Sequence, residues 1–544
     1  MYYDLGSYAR TVTTASTDAQ TWFDRGLVWT YAYNHEEAIA CFERALEADP
    51  ACAMAHWGIA YAIGPNYNKP WEAFEEDEKP TAIARARAAI AAAKAAAPGA
   101  TPVEQALIGA LDHRYPEETP EAFGSFNDGY AAAMRAVYRE HGADLDIACL
   151  FAEAIMNRTP WQLWDLATGA PAEGADTLEA IEVLETAFND DPAAWDHPGL
   201  LHMYIHLVEM SPQPEKALPH GDRLASLVPD AGHLLHMATH IDVLCGNYED
   251  VVSRNHRAII ADRKFLAEQG ADNFYSVYRC HNYHFKAYGA MFLAQPTAAL
   301  AAADELIETL PPSFLRPLAD WFEGFVPIRQ HVLVRFGMWE EILAQPLPAD
   351  SELYAVTTAM LRYARAIAFA NTARLAEAAA ERNAFDAAYA AVPESRMLFN
   401  NTCRDILAVA EQMMLGEIAY HAGEHDAAFA HLRRAVELDD TLPYDEPWGW
   451  MQPVRHALGA LLLEQGHHSE AEAVYRADLG LDGTLARACR HPDNIWSLQG
   501  LHDCLAARGE GTEIVHIAQR LALAAARAEV PVKASCFCSS KAAA

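Results

Sequence analysis

A 34-residue spacing of small, large and helix-breaking side chains constrains this chain more than any other feature. In a unit starting at Ala19, Trp22 falls at position 4, Gly26 at 8, Trp29 at 11 and Ala38 at 20. Phe42 follows at 24, Ala45 at 27 and Pro50 at 32. Small residues at 8, 20 and 27 let two antiparallel helices approach closely. Large residues at 4 and 24 fill the gap, and the proline stops the second helix. The frame recurs. A unit from Pro198 places Ala217 at 20 and Pro229 at 32, one from Gly232 places Ala258 at 27, and one from Cys280 places Ala299 at 20 and Pro311 at 32. Gly416, Ala428, Leu432 and Ala435 fit a later unit, Gly459, Ala471 and Tyr475 the next, and Trp496 with Gly500 a partial last one.

This pattern is that of tetratricopeptide repeats (TPR), and it predicts an all-α fold, a TPR-like α-solenoid of antiparallel helix pairs. The 544 residues exceed what one compact core accommodates. A repeat array escapes that limit because each unit packs only on its neighbours. The sequence divides into N-terminal repeats over 1–64, an irregular helical segment with an acidic loop over 65–142, central His-rich repeats over 143–342, C-terminal repeats over 343–530 and a disordered tail over 531–544.

Charge narrows the partners. The formal net charge is −35, which argues against nucleic acid and anionic membrane surfaces, both of which demand Lys and Arg. No stretch reads as a signal peptide or a membrane span, so the expectation is a cytoplasmic protein. Ten cysteines scattered over so long a chain read as reduced thiols. Cys536 and Cys538 form a Cys-X-Cys pair, which can bind soft metals or else belong to an inert, disordered tail.

Ten of the 24 histidines lie within residues 197–284. His202 and His206 are four apart, as are His236 and His240, so each pair shares a helix face. His233 precedes His236 by three, and His281 precedes His284 by three. In the repeat frame His202, His236 and His284 take position 5, His206 and His240 position 9, and His233 and His281 position 2. Glu209 takes position 12. In tetratricopeptide repeats these positions line the concave groove, so seven imidazoles and one carboxylate are expected to converge there.

Such a set reads as a metal site, because protonated rings would repel and neutral buried ones need partners. The seven histidines are the candidate ligands. Imidazole ligation suits copper, the favoured ion, with iron or zinc as alternatives. A set of His202, His206 and Glu209 would suit non-haem iron. Glu209 is otherwise an acid/base candidate. Glu153, at position 9 of the preceding unit, is a candidate ligand or base, or a solvated carboxylate. Asn255, at position 24 of its unit, either orients an imidazole or satisfies a backbone carbonyl.

Nucleotide-binding, nucleophile-elbow and H-E-x-x-H motifs are absent from the sequence. The runs GPNYN, HPGLLHMYIH, PDAGHLLHMATHIDVLCGNYEDVVSRNHRAI and YDEPWGWMQPVRHALGALLLEQGHHSEAEAVYRADL resemble large bacterial tetratricopeptide-repeat proteins with His-rich central repeats. The resemblance spans roughly residues 20–510 and implies the fold, with GPNYN and YDEPWGW helping to close the groove. The expected function is a metal-dependent, oxygen-using oxidoreductase acting on a small, aromatic or amino-acid-like molecule at a His-rich, dinuclear-capable site. The alternatives are an adaptor that binds a peptide partner, or a metal storage or delivery protein.

Overall fold

The computed structural model describes residues 2–115 and 123–543, so residues 116–122 of the 65–142 segment lie outside the described residues. The fold is all-α and TPR-like. Among the described residues the one named sheet is a two-stranded hairpin, Met397–Leu398 with Asn401–Thr402. Two compact units emerge, Met1–Ile241 with Arg257–Arg279, and Asp242–His256 with Cys280–Ala544. This division cuts through the 143–342 block.

In the first unit, Thr17–Tyr31 and His35–Ala48 form the repeat read from the sequence, followed by Ala53–Ile63. The Ser16 side chain caps the first helix by accepting from the Ala19 amide, and Asn34 caps the second by accepting from Glu37. Phe42 wedges between Gly26 and Gly58, where a Cβ at either glycine would lie 2.6 Å from its ring. The turn between paired helices repeats a left-handed residue at position 15. Gly246, Gly337, Gly423 and Gly466 hold φ between 63° and 82° at this kind of turn, and the next amide bonds a carbonyl five residues back. In the first repeat that residue is Tyr33, at φ 56°.

The second unit stacks the pairs Ala355–Asn371 with Leu375–Ala390, Cys403–His421 with His425–Asp440, Val454–Glu464 with His468–Asp478, and Ile495–Arg508 with Glu513–Ala525. Gly416 packs on Leu432, and Tyr475 packs against both Gly459 and Gly500. The segment after 531, expected to be disordered, is packed instead. Ser535 Oγ donates to the His456 carbonyl at 2.7 Å, Ser539 Oγ donates to Glu464 at 2.6 Å, and Phe537 sits beside Trp496. These side chains meet partners that only the folded repeats bring together. Among the described residues no helix is long and apolar enough to cross a membrane.

His331 is buried against Trp450, and burial pushes its imidazole down to about 3. Its folded value lies below the unfolded value of about 6.5. The unfolded chain therefore binds the proton first, and stability present above pH 6.5 is lost as pH falls towards 3. We expect this residue to cost about 2 kcal/mol of stability between pH 7 and pH 5, at about 1.4 kcal/mol per pH unit below 6.5. Urea unfolding of wild type and His331→Gln at both pH values checks this. The variant should lose less stability on acidification, and an equal loss in both proteins refutes the assignment.

Candidate metal centre

The helix Pro198–Val208 begins where His197 closes its end. His197 Nδ1 accepts from the Leu200 amide, and Pro198 occupies the first helical turn. The other ring nitrogen of His197 lies 3.2 Å from Asp146, which also accepts from Tyr8 and is ion-paired with Arg10. Burial opposes ionisation of Asp146, but His197, Arg10 and Tyr31 overcome it and hold its carboxyl below the usual range. Gly199 lets this helix approach closely, since a Cβ there would sit 2.6 Å from Cys149 Sγ and the Tyr31 ring. That approach brings His202 Nδ1 to within 2.7 Å of the Tyr31 carbonyl.

The repeat frame places the histidine rings along a groove; the structure encloses them. His202, His206, His233 and His236 are 0% exposed, and His240 and Glu209 are 1% exposed. Ring centroids lie 4.8 Å apart for His202 and His206, 4.9 Å for His202 and His233, and 4.7 Å for His236 and His240. One donor atom from each of His202, His206 and His233 falls within 4.8 Å of the others, and so do donors from His206, Glu209 and His240.

Protonation and tautomer follow from the partners. Burial pushes His202 down to about 3. Burial, and then the neighbouring imidazoles, hold His206 well below its ordinary value. Both rings are therefore neutral. A carbonyl can only accept, so His202 carries its proton on Nδ1 and presents the Nε2 lone pair. Glu209 receives His206 Nδ1 at 2.9 Å on one oxygen and His240 Nδ1 at 2.7 Å on the other. The same logic leaves lone pairs on both Nε2 atoms. The Nε2 atoms of His202 and His206 are buried with no hydrogen-bond partner. His236 Nε2 lies 2.7 Å from His240 Nε2. At that distance one of the two nitrogens carries the proton and donates it in a hydrogen bond to the other.

Four aromatic residues close over these rings. Tyr33 packs on His202 at 4.6 Å, on His233 at 5.8 Å and on His206 at 6.2 Å. Tyr67, from the GPNYN run, packs on His206 at 4.9 Å, and Trp161 meets the same ring edge-on at 5.5 Å. Tyr278 lies 4.3 Å from His233. Sequence reasoning missed Tyr33. Its signal was a bulky residue at a turn position that is glycine in four other helix pairs. A tyrosine there costs roughly 1 kcal/mol of backbone strain.

The remaining candidates are placed as follows. Glu153 is buried rather than solvated; Tyr61 donates to it, and burial raises its carboxyl above the ordinary range while Tyr61 and Arg114 pull it back. Glu209 accepts from His206 on one oxygen and from His240 on the other, and one ligand atom from each of the three lies within 4.8 Å of the others. Asn255 Nδ2 donates to the Val251 carbonyl of its own helix at 2.8 Å. His281 and His284 belong to the second unit. His281 packs on Phe285 and Phe399, and His284 Nε2 lies 3.1 Å from Met451 Sδ. Among the described residues His284 joins no group of three converging donors.

Residues 19–52 match the sequence model of the tetratricopeptide repeat family. A comparison with curated proteins yields no match. Among solved structures the chain is similar to Naa15/Naa10 bound to HypK-THB, with 14% identity, 93% of this chain and 70% of that one covered and a TM-score of 0.23. It is also similar to yeast Tom70, with 10% identity, 93% of each chain covered and a TM-score of 0.31. A third is the APC/C hetero-tetramer Cut9-Hcn1, with 12% identity, 93% and 96% covered and a TM-score of 0.25.

Proposed function

We propose that the first unit is a metalloprotein scaffold whose buried imidazoles hold copper, and that this centre carries out oxygen-using oxidation of a small molecule. One observation carries the reading. Glu209 fixes two imidazoles through Nδ1 and turns their Nε2 atoms inward, the arrangement by which carboxylates orient histidine ligands. His202, His206, His233, His236 and His240 would hold the metal, which would supply electron exchange with oxygen. The protein does the rest. The Tyr31 carbonyl and Glu209 hold the tautomers, and Tyr33, Tyr67 and Trp161 exclude water.

A test that does not depend on turnover is metal analysis of untagged protein. We expect stoichiometric copper in wild type and its loss in His202→Leu. Leucine deletes the unpartnered Nε2 and also the Nδ1–H that donates to the buried Tyr31 carbonyl, so the metal-free variant should lose about 1–3 kcal/mol relative to metal-free wild type. Absence of stoichiometric metal in wild type sinks the reading. So does a drop well beyond about 3 kcal/mol in the metal-free variant, more than the lost bond to the Tyr31 carbonyl accounts for, which would mark His202 as structural.

The second reading is an adaptor that binds a peptide. A cleft of about 530 Å³ in the first unit favours it, lined by Asn34, His35, Glu36, Lys69 and Phe274 and overlapping the matched repeat at 19–52. Tyr33 also lines this cleft, and under the first reading it is the wall between the cleft and the imidazoles. Oxygen consumption with candidate amines or phenols separates an oxidase from a metal store.

A further inference from the structure

The geometry points to a second cation site, in the other unit, built from Cys536, Cys538 and Glu417 and open to zinc only when the two cysteines are reduced. Their three donor atoms lie within 4.8 Å of one another. Glu417 is 2% exposed, Cys538 is 1% exposed, and Cys536 is partly buried. The carboxylate lies on the helix Cys403–His421 and accepts from Asn371 Nδ2 at 3.0 Å. Asn371 is itself oriented by His421, whose Nε2 lies 3.1 Å from Asn371 Oδ1. Among the described residues no Lys or Arg pairs with Glu417, so a buried acid faces two sulfurs without a counter-charge. Burial accordingly raises it to about 7. A divalent cation would supply the missing charge.

The sulfurs are prepared for the same role. The Cys538 amide donates to Cys536 Sγ at 3.0 Å, a bond that favours a thiolate. Neighbouring contacts hold the segment in place, with Ser535 and Ser539 anchored to His456 and Glu464. In the oxidised form the two sulfurs are joined as a disulfide. Two equivalents of a small thiol break that S–S bond. Their electrons pass to the pair, they leave as their own disulfide, and each cysteine sulfur gains a proton. Zinc then displaces both protons and binds two thiolates and one carboxylate, a donor set within its usual range. One coordination position remains for water. The oxidised chain cannot offer the thiolates, so cation binding reports thiol status. The site shares no residue with the histidine centre and stands whether or not that reading holds.

Cobalt(II) titration of full-length, untagged protein tests this, because thiolate ligation gives a sulfur-to-cobalt charge-transfer band that imidazoles cannot produce. We expect the band in reduced wild type, saturating at one equivalent. It should be absent from protein oxidised to the disulfide and from Cys538→Ser. Glu417→Gln should keep the band but bind cobalt roughly tenfold more weakly. Zinc should also protect Cys536 and Cys538 from alkylation in reduced wild type. If Cys538→Ser fails to fold, the oxidised and reduced wild-type titrations decide. No thiolate band at saturating cobalt overturns the proposal, and so does unchanged affinity in Glu417→Gln.

Discussion

Replacing Glu209 by alanine is expected to weaken metal binding by roughly 10- to 100-fold while leaving the helices in place. Glu209 accepts from His206 and His240 with separate oxygens, so one substitution frees two rings. Each ring can then rotate or change tautomer, and its Nε2 is no longer aimed inward. The metal-free protein should also lose stability. Each buried N–H left without an acceptor costs about 1–3 kcal/mol, so a loss of about 2 kcal/mol or more is expected. Glutamine at 209 keeps the shape but offers one accepting oxygen, and its affinity should fall between the two. Isothermal titration with copper gives the affinities, and circular dichroism confirms the helical content. Wild-type affinity in Glu209→Ala would show that the carboxylate orients nothing, and the centre as described would fall.

Phe42→Ala is the second large effect, and it acts on the scaffold. The ring is fully buried and fills the space that Gly26 and Gly58 leave open on either side. Truncation leaves a cavity between three successive helices. Neither glycine has a side chain to relax into it, so the cost should sit at about 3–5 kcal/mol. Denaturant unfolding at fixed pH measures it. Phe42→Leu should recover most of the loss, because volume returns even though shape does not. A loss under about 1 kcal/mol would mean that the repeat is held by contacts other than the wedge.

These two residues mark how legibility divides between scaffold and site. Phe42 was readable because its role depends only on local spacing. A large residue at position 24 between small ones at 8 and 20 can pack in one way. The i, i+4 imidazole pairs were readable for the same reason, since helical periodicity alone puts His202 and His206 on one face. Glu209 was visible as part of that stripe, but its role was not. Only the placement of His240 beside it makes the carboxylate a bridge. The enclosure of the rings was also hidden. Tyr33, Tyr67 and Trp161 come from a turn, a loop and an insertion far apart in the chain, and nothing in their spacing marks them as neighbours of His206.

The amino-acid order by itself determined the helix pairs, their period and the clustering of imidazoles on helix faces. Each of those follows from interactions within about one repeat, where propensity, turn chemistry and periodicity agree. Tertiary structure alone decided the tautomers, the buried lone pairs and the assignment of His281 and His284 to another unit. It also decided the meeting of Glu417 with Cys536 and Cys538. Those properties depend on which distant side chains share a few ångströms, and packing settles that where local periodicity is silent.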